Sequence, residues 1–129
     1  MKQILIIGAG SIGNHFANAS RLIGMRVHMM DISLESLKRM KNKIYPMRYN
    51  KWDKKINLSR FTNYNLQKMT DIDLVVIGTP PQTHFDVYRK ILKYVNFKKV
   101  LFEKPLCSFT ENDKKFTLIK NKKKFFLWV

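Results

Sequence analysis

Short apolar bursts alternate along this chain with stretches of helical periodicity. That alternation is the pattern of βαβ units feeding one parallel sheet. Gln3-Ile4-Leu5-Ile6-Ile7 is a continuous, largely β-branched run, which suits a strand covered on both faces. The next segment places Ile12, Phe16, Ala19 and Ile23 at i, i+4, i+7 and i+11, the core stripe expected of a helix. Residues 26–30 read as a second strand. Ser33 then reads as the N-cap of a helix that turns Leu37, Met40 and Ile44 inward. Residues 45–57 are basic and aromatic, with Pro46 as a breaker, and carry no firm element. A third strand is expected at 58–62, a short helical turn at 64–69, and a fourth strand at 73–77 that Gly78 and Thr79-Pro80-Pro81 bring to a stop. Thr83 is placed to cap a helix reaching about Val95, with Val87, Ile91 and Val95 on one face. Residues 99–103 read as a fifth strand, a last helix starts near Thr110, and 125–129 read as a sixth strand. The expected fold class is α/β, a doubly wound parallel sheet in three layers, αβα, of about six strands, with residues 1–129 as one domain.

Gly8-Ala9-Gly10-Ser11-Ile12-Gly13 lies where the first strand turns into the first helix, the context that gives G-x-G-x-x-G its meaning. Gly8 permits the tight turn, Gly10 lets backbone approach a pyrophosphate, and Gly13 lets the helix pack close to the sheet. The free N–H groups at the helix start, those of Ser11 and Ile12 among them, and the positive end of the helix dipole then hold phosphates. This is the fingerprint of a Rossmann dinucleotide-binding fold. Asp31 closes the second strand, eighteen residues after Gly13. An acid there can accept hydrogen bonds from the adenosine ribose hydroxyls and repels a 2′-phosphate, which favours NAD over NADP. Arg26 precedes the strand, so no phosphate clamp is evident after Asp31.

Composition changes the picture little, apart from charge. The apolar fraction of 45% is ordinary. No apolar run approaches the roughly 20 residues of a membrane span, and Ile4–Ile7 is too short for a signal peptide. The single cysteine, Cys107, cannot form an internal disulfide and has no evident His or Asp partner, so a cytoplasmic, reduced setting is expected, with no metal site. The formal net charge is +16, from 25 Lys and Arg against 9 Asp and Glu. The densest runs, 51–55 and 120–124, lack the Arg-rich, aromatic-interleaved pattern of an RNA module. The basic residues are spread along the chain, so a coding preference for Lys, Asn, Ile and Phe is favoured over a nucleic-acid surface. His15 and His28 read as surface or packing residues, and Trp52 and Trp128 as packing.

Two further stretches narrow the reading. Thr79-Pro80-Pro81-Gln82-Thr83-His84 follows the fourth strand and Glu103-Lys104-Pro105 the fifth. Both lie at carboxyl ends of strands, where ligands bind in such sheets. Together with the glycine-rich turn and Asp31, they resemble the glucose–fructose oxidoreductase / inositol dehydrogenase / MocA (Gfo/Idh/MocA) family, in order and over nearly the whole chain. The resemblance implies that Thr79, Pro80 and His84 pass along the nicotinamide half of the cofactor. It implies that Glu103 and Lys104 stand beside the nicotinamide and substrate. Lys104 is then the catalytic candidate, by binding the substrate hydroxyl or handling its proton. A lysine there can stabilise developing alkoxide charge. Taken alone, Glu103-Lys104-Pro105 reads sooner as a strand end entering a turn than as a catalytic pair, and His84 equally as a first-turn residue. The resemblance further implies a second α/β domain on an open antiparallel sheet. That domain supplies most of the substrate pocket, the usual catalytic histidine and acid, and the oligomer interface. The chain is therefore expected to be a truncated NAD-binding domain of an oxidoreductase acting on sugar or cyclitol CH–OH groups, poorly active alone, meeting a sugar-like substrate only where that second domain is supplied.

Two other readings stay open. One is a stand-alone nucleotide-sensing domain of the kind that regulates potassium transporters, which has no use for the Thr79–His84 and Glu103–Pro105 stretches. The other is a basic, non-enzymatic adaptor for nucleic acid, which a steep salt dependence of binding reveals.

Overall fold

The computed structural model describes residues 1–104 and the backbone of 125–128. Six strands form a single, wholly parallel sheet: β1 (Gln3–Ile7), β2 (Arg26–Asp31), β3 (Asn57–Arg60), β4 (Ile72–Ile77), β5 (Phe97–Phe102) and β6 (Phe125–Trp128). Their spatial order is β3-β2-β1-β4-β5-β6, the doubly wound order expected from the alternation of elements. The order reverses between β1 and β4, so a crevice opens at the carboxyl ends of those two strands.

The unbroken apolar run of β1 sits at the centre of the sheet, and its residues divide by parity. Ile4 and Ile6 face one core, which they share with Ala17, Leu37, Met40 and Tyr45; Leu5 and Ile7 face the other, with Leu66, Tyr88 and Ile91. Helices α1 (Ser11–Leu22), α2 (Leu34–Arg39) and α3 (Tyr45–Tyr49) cover the first face, and α4 (Asn63–Gln67) and α5 (His84–Tyr94) the second. This is the three-layer αβα arrangement.

Helix α1 buries a different face from the one its large apolar residues suggest. Ala19 and Ile23 are exposed, Ile23 at 76%, and Ile12 and Phe16 are half-buried. The buried positions are Gly13, Asn14, Ala17 and Ser20. Small side chains win because this helix crosses β1 and β2 closely. Adding a Cβ at Gly13 would drive it into the Gly8 carbonyl oxygen, and Met29 Cε is 3.2 Å away.

Residues 45–57 are more ordered than their composition suggests. Helix α2 begins at its Ser33 cap, whose Oγ accepts from Ser36 N at 3.2 Å, and buries Leu37. It runs on through a π turn, Met40–Ile44, in which Tyr45 N donates to Met40 O, five residues back. Pro46 then stands in the first turn of α3, where its missing N–H costs little, so it continues the helical path instead of breaking it. Asn50, at φ 79°, ends the run. Tyr45 is buried and packs edge-on against Tyr49 and Trp52, with ring centroids 4.9 and 5.2 Å apart.

Other boundaries shift slightly. The third strand starts one residue earlier than expected and α4 is capped by Thr62, which accepts from Asn65 N at 3.1 Å. Thr83 makes no side-chain cap; a 3-10 turn, Pro81–Thr83, leads into α5 instead. The helix expected near Thr110, with Pro105 and Cys107, lies outside the described residues, as do the side chains of 125–128. Among the described residues, no helix is long and apolar enough to cross a membrane.

Two groups away from the crevice make the fold sensitive to acid. His28 on β2 is half-buried, with Nε2 3.0 Å from Gln3 Oε1; burial, then the neighbouring Arg26 charge, lowers its pKa. The unfolded chain then takes up a proton at His28 first, so stability falls as pH drops below about 6.5. The Asp73 carboxylate on β4 accepts from Gln3 N at 2.8 Å and lies 3.2 Å from Lys98 Nζ, and these contacts, the backbone bond first, lower its pKa. Its contribution is present above the unfolded carboxylate value of about 3.9 and is lost as pH falls through the folded one. We expect urea midpoints flat above about pH 7 and declining in two stages on acidification, with His28→Gln flattening only the upper stage. A separate substitution, Gly13→Ala, should destabilise the fold by about 2 kcal/mol or more, read by the same urea titration.

Candidate functional site

The crevice is built on the backbone of the β1–α1 turn. Gly8 N donates to Met30 O at 2.8 Å, and Gly78 N donates to Ile7 O at 2.8 Å, so the turn is tied to β2 on one side and β4 on the other. Gly8 has φ +109°, and a Cβ there would meet the Gly78 carbonyl carbon and oxygen at 3.0 Å. Both the conformation and the contact require glycine. Asn14, wholly buried, ties the turn from inside by donating Nδ2 to Ala9 O at 3.1 Å and Gly10 O at 2.7 Å.

Gly10 is different. Its φ of −84° and ψ of −159° suit any residue, and nothing lies within 4 Å of a Cβ built on it. The fold itself does not need glycine there. Gly10 is also the N-cap of α1. It has no side chain to satisfy the first N–H groups of the helix, and no acidic residue stands in the first turn. The N–H groups of Ser11, Ile12 and Gly13 thus begin a twelve-residue helix with its positive end open to an anion.

Asp31, the last residue of β2, reaches back across the turn. Its Oδ2 accepts from Ala9 N at 2.9 Å and its Oδ1 from Ser33 N at 2.8 Å. A carboxylate has about four lone-pair sites, so both oxygens can still accept from a ligand hydroxyl. A cavity of about 360 Å³ joins these parts. The first loop contributes Gly8, Ala9 and Gly10, and the second Asp31 and Ile32. Helix α2 and the π turn contribute Ser36, Arg39 and Ile44, and the loop after β4 contributes Gly78, Thr79, Pro80 and Thr83.

The loop after β4 is braced internally. Thr83 Oγ1 lies 2.6 Å from Pro80 O and 2.7 Å from Thr79 Oγ1, so its proton serves the carbonyl while the Thr79 hydroxyl supplies the second bond. His84 is completely buried, with Nε2 2.7 Å from Thr79 O and its ring against Phe102. It faces the core side of the loop and holds Thr79 from behind. Glu103 continues β5, donating its N–H to Ile77 O at 3.0 Å. Its Oε2 and Ile12 Cγ2 lie 3.8 and 3.7 Å from the place a Cβ on Gly78 would take. Lys104 follows, exposed.

Five of the residues singled out from the sequence therefore line one cavity: Gly8, Gly10, Asp31, Thr79 and Pro80. Ser11, Ile12 and Gly13 carry the adjoining helix start, Ile12 and Glu103 meet at Gly78, and His84 sits behind Thr79. Ser36, Arg39, Ile44, Thr83 and Val87 were not anticipated as lining residues. The signal for two of them was legible: Ser36 and Arg39 are three apart on the helix that follows the acid, hence on one face.

Fold and crevice define a Rossmann dinucleotide-binding domain. The chain belongs to the Gfo/Idh/MocA oxidoreductase family: the family's model, described as an oxidoreductase family with an NAD-binding Rossmann fold, matches residues 2–129. No curated protein matches the chain significantly. Among solved structures, scyllo-inositol dehydrogenase from Lactobacillus casei, with bound NAD(H) and scyllo-inositol, superposes with a TM-score of 0.70 at 18% identity over 99% of this chain and 36% of that one. Biliverdin reductase from Synechocystis, in complex with biliverdin and NADP+, gives 0.69 at 18% over 98% and 37%. UDP-N-acetylglucosamine 3-dehydrogenase from Acidithiobacillus ferrooxidans gives 0.64 at 20% over 97% and 36%. At these identities the likeness is one of fold. The chain spans little more than a third of the length of each.

Because Asp31 braces the turn with both oxygens, Asp31→Asn leaves the Ala9 or Ser33 N–H facing an amide NH2. We expect that variant to lose about 1–3 kcal/mol of stability without any nucleotide present, measured by urea unfolding.

Proposed function

We propose that this chain binds a nicotinamide dinucleotide, NAD in preference to NADP, for an oxidoreductase acting on CH–OH groups of sugars or cyclitols. The observation that carries this reading is Gly10, a glycine the backbone does not require, set in open space at a helix start and opposite a carboxylate in the same cavity. The residues fit the cofactor part by part. The N–H groups of Ser11 and Ile12 hold the diphosphate, and Gly8 and Gly10 let it approach. Asp31 accepts from the adenosine ribose hydroxyls, and its charge opposes a 2′-phosphate. Thr79 and Pro80 carry the chain past the nicotinamide half, with His84 fixing Thr79 through its carbonyl. Glu103 and Lys104, after β5, face the reacting end.

When bound, the dinucleotide supplies a hydride acceptor or donor. Lys104 then holds the substrate hydroxyl and stabilises charge as its proton leaves. Hydride transfer also needs the substrate carbon fixed at contact distance. In the structural relatives most of the chain lies outside the matched third. We infer that such a further region, in this chain or another, completes the substrate pocket. The 129 residues alone should show negligible turnover of polyols, followed as NADH formation.

Arg39 supports a second reading. It lines the same cavity as Asp31, where a guanidinium can accept a 2′-phosphate. Fluorescence titration separates the two: NADH should bind more tightly than NADPH, and equal or reversed affinities would hand the choice to Arg39. The core of the proposal is tested by Gly10→Ala. That variant should stay within about 1 kcal/mol of the parent's stability, alanine's stiffer unfolded chain offsetting its poorer fit at an N-cap, yet bind NADH at least about tenfold more weakly. Unchanged NADH binding would defeat the cradle.

A further inference from the structure

Four polar contacts run along one face of α1. Ser11, His15, Asn18 and Arg21 meet Arg48, Tyr49, Tyr45 and Asp53 respectively. His15 Nδ1 and the Tyr49 hydroxyl are 2.9 Å apart, the Tyr45 hydroxyl donates to Asn18 Oδ1 at 3.3 Å, and Arg21 Nε donates to Asp53 Oδ2 at 2.9 Å. This ladder lays α3 alongside α1 and delivers Arg48 to the glycine-rich end. There Nη1 donates to Ser11 O at 3.2 Å and Nη2 to Ser11 Oγ at 3.0 Å, both in exposed positions.

The placement has the wrong sign for a structural contact. A helix N-terminus carries partial positive charge and disfavours a cation. A guanidinium is permanently charged, and no acid in the first turn of α1 offsets it. Among the described residues, the ion pairs join Lys2 and Lys98 to Asp73 and Arg21 to Asp53; none reaches Arg48. Its acceptors at Ser11 are neutral oxygens. Two positive groups thus converge on Ser11, beside the open space over Gly10, with no anion between them.

We propose that Arg48 is a ligand of the dinucleotide's diphosphate, supplied by α3 and parked on Ser11 until the nucleotide arrives. This rests on the nucleotide reading above. The planar fork of the guanidinium matches phosphate oxygens, and their full negative charge attracts it where the Ser11 carbonyl and hydroxyl offer only neutral acceptors. The Ser11 hydroxyl only accepts from Nη2, so its own proton can be donated to the same oxygens.

The test uses the 129-residue chain and two ligands that share an adenosine but differ in the diphosphate: ADP-ribose and adenosine, each titrated by calorimetry or NMR shift. Arg48→Ala should bind ADP-ribose about tenfold or more weakly than the parent, keep the same affinity for adenosine, and melt at an unchanged temperature. Equal ADP-ribose affinity in parent and variant overturns the proposal. So does an equal loss for both ligands, which marks Arg48 as a brace of the fold. If the parent itself binds no ADP-ribose, the nucleotide reading fails first and takes the role of Arg48 with it.

Discussion

Bare backbone meeting bare backbone at the β1–β4 crossover is the contact on which the rest of this structure depends. Gly8 lies against the Gly78 carbonyl, and Gly13 brings α1 down onto Gly8. No side chain fits at either place. The two strands can therefore run side by side, buried over Ile4–Ile7 and Val75–Ile77, while their carboxyl ends open into a crevice. The same closeness explains the small-residue face of α1: a helix seated on a glycine turns Gly13, Ala17 and Ser20 to the sheet, leaving Phe16 half-buried against the core and Ile23 exposed. Packing and binding share one cause: the space taken from side chains near the sheet is the space left for a ligand above it.

Polar groups at the crevice carry double duty for the same reason. Where side chains are excluded, the backbone N–H groups nearby need partners, and Asp31 supplies them for Ala9 and Ser33 while keeping lone pairs to spare. His84 is the counterpart on the β4 side. Buried at the start of α5, it holds the Thr79 carbonyl and so fixes a loop whose outer surface lines the cavity.

Most of the sheet was legible in the sequence because the strands are short, continuous apolar runs, bounded by Gly, Pro and Asp, that no helical period explains. Six parallel strands in doubly wound order followed from that alternation. The buried face of α1 was not legible, because periodicity is read from large apolar residues and here Gly13, Ala17 and Ser20 carry the contact. Residues 45–57 were obscure because Pro46 reads as a breaker unless a π turn is known to place it in the first turn of a new helix. That obscurity hid Arg48, whose position follows from α3 alone. That the glycine-rich turn and Asp31 share one crevice was readable from their places at two strand ends; that Asp31 also braces the turn depends on the return path of β2, which residue spacing does not reveal. The net charge of +16 names no partner by itself; what the structure adds is that one of those cations, Arg48, stands where no acid answers it.

The π turn at Met40–Ile44 sets the rotational phase of everything after it. One residue advances an α-helix by about 100°. The π turn takes up one extra residue without that advance, and so leaves Tyr45, Arg48 and Tyr49 on the side facing α1. Winding in that segment is thus a dial rather than slack: the same residues wound as regular α-helix would turn all three away from α1, and the polar ladder would come apart.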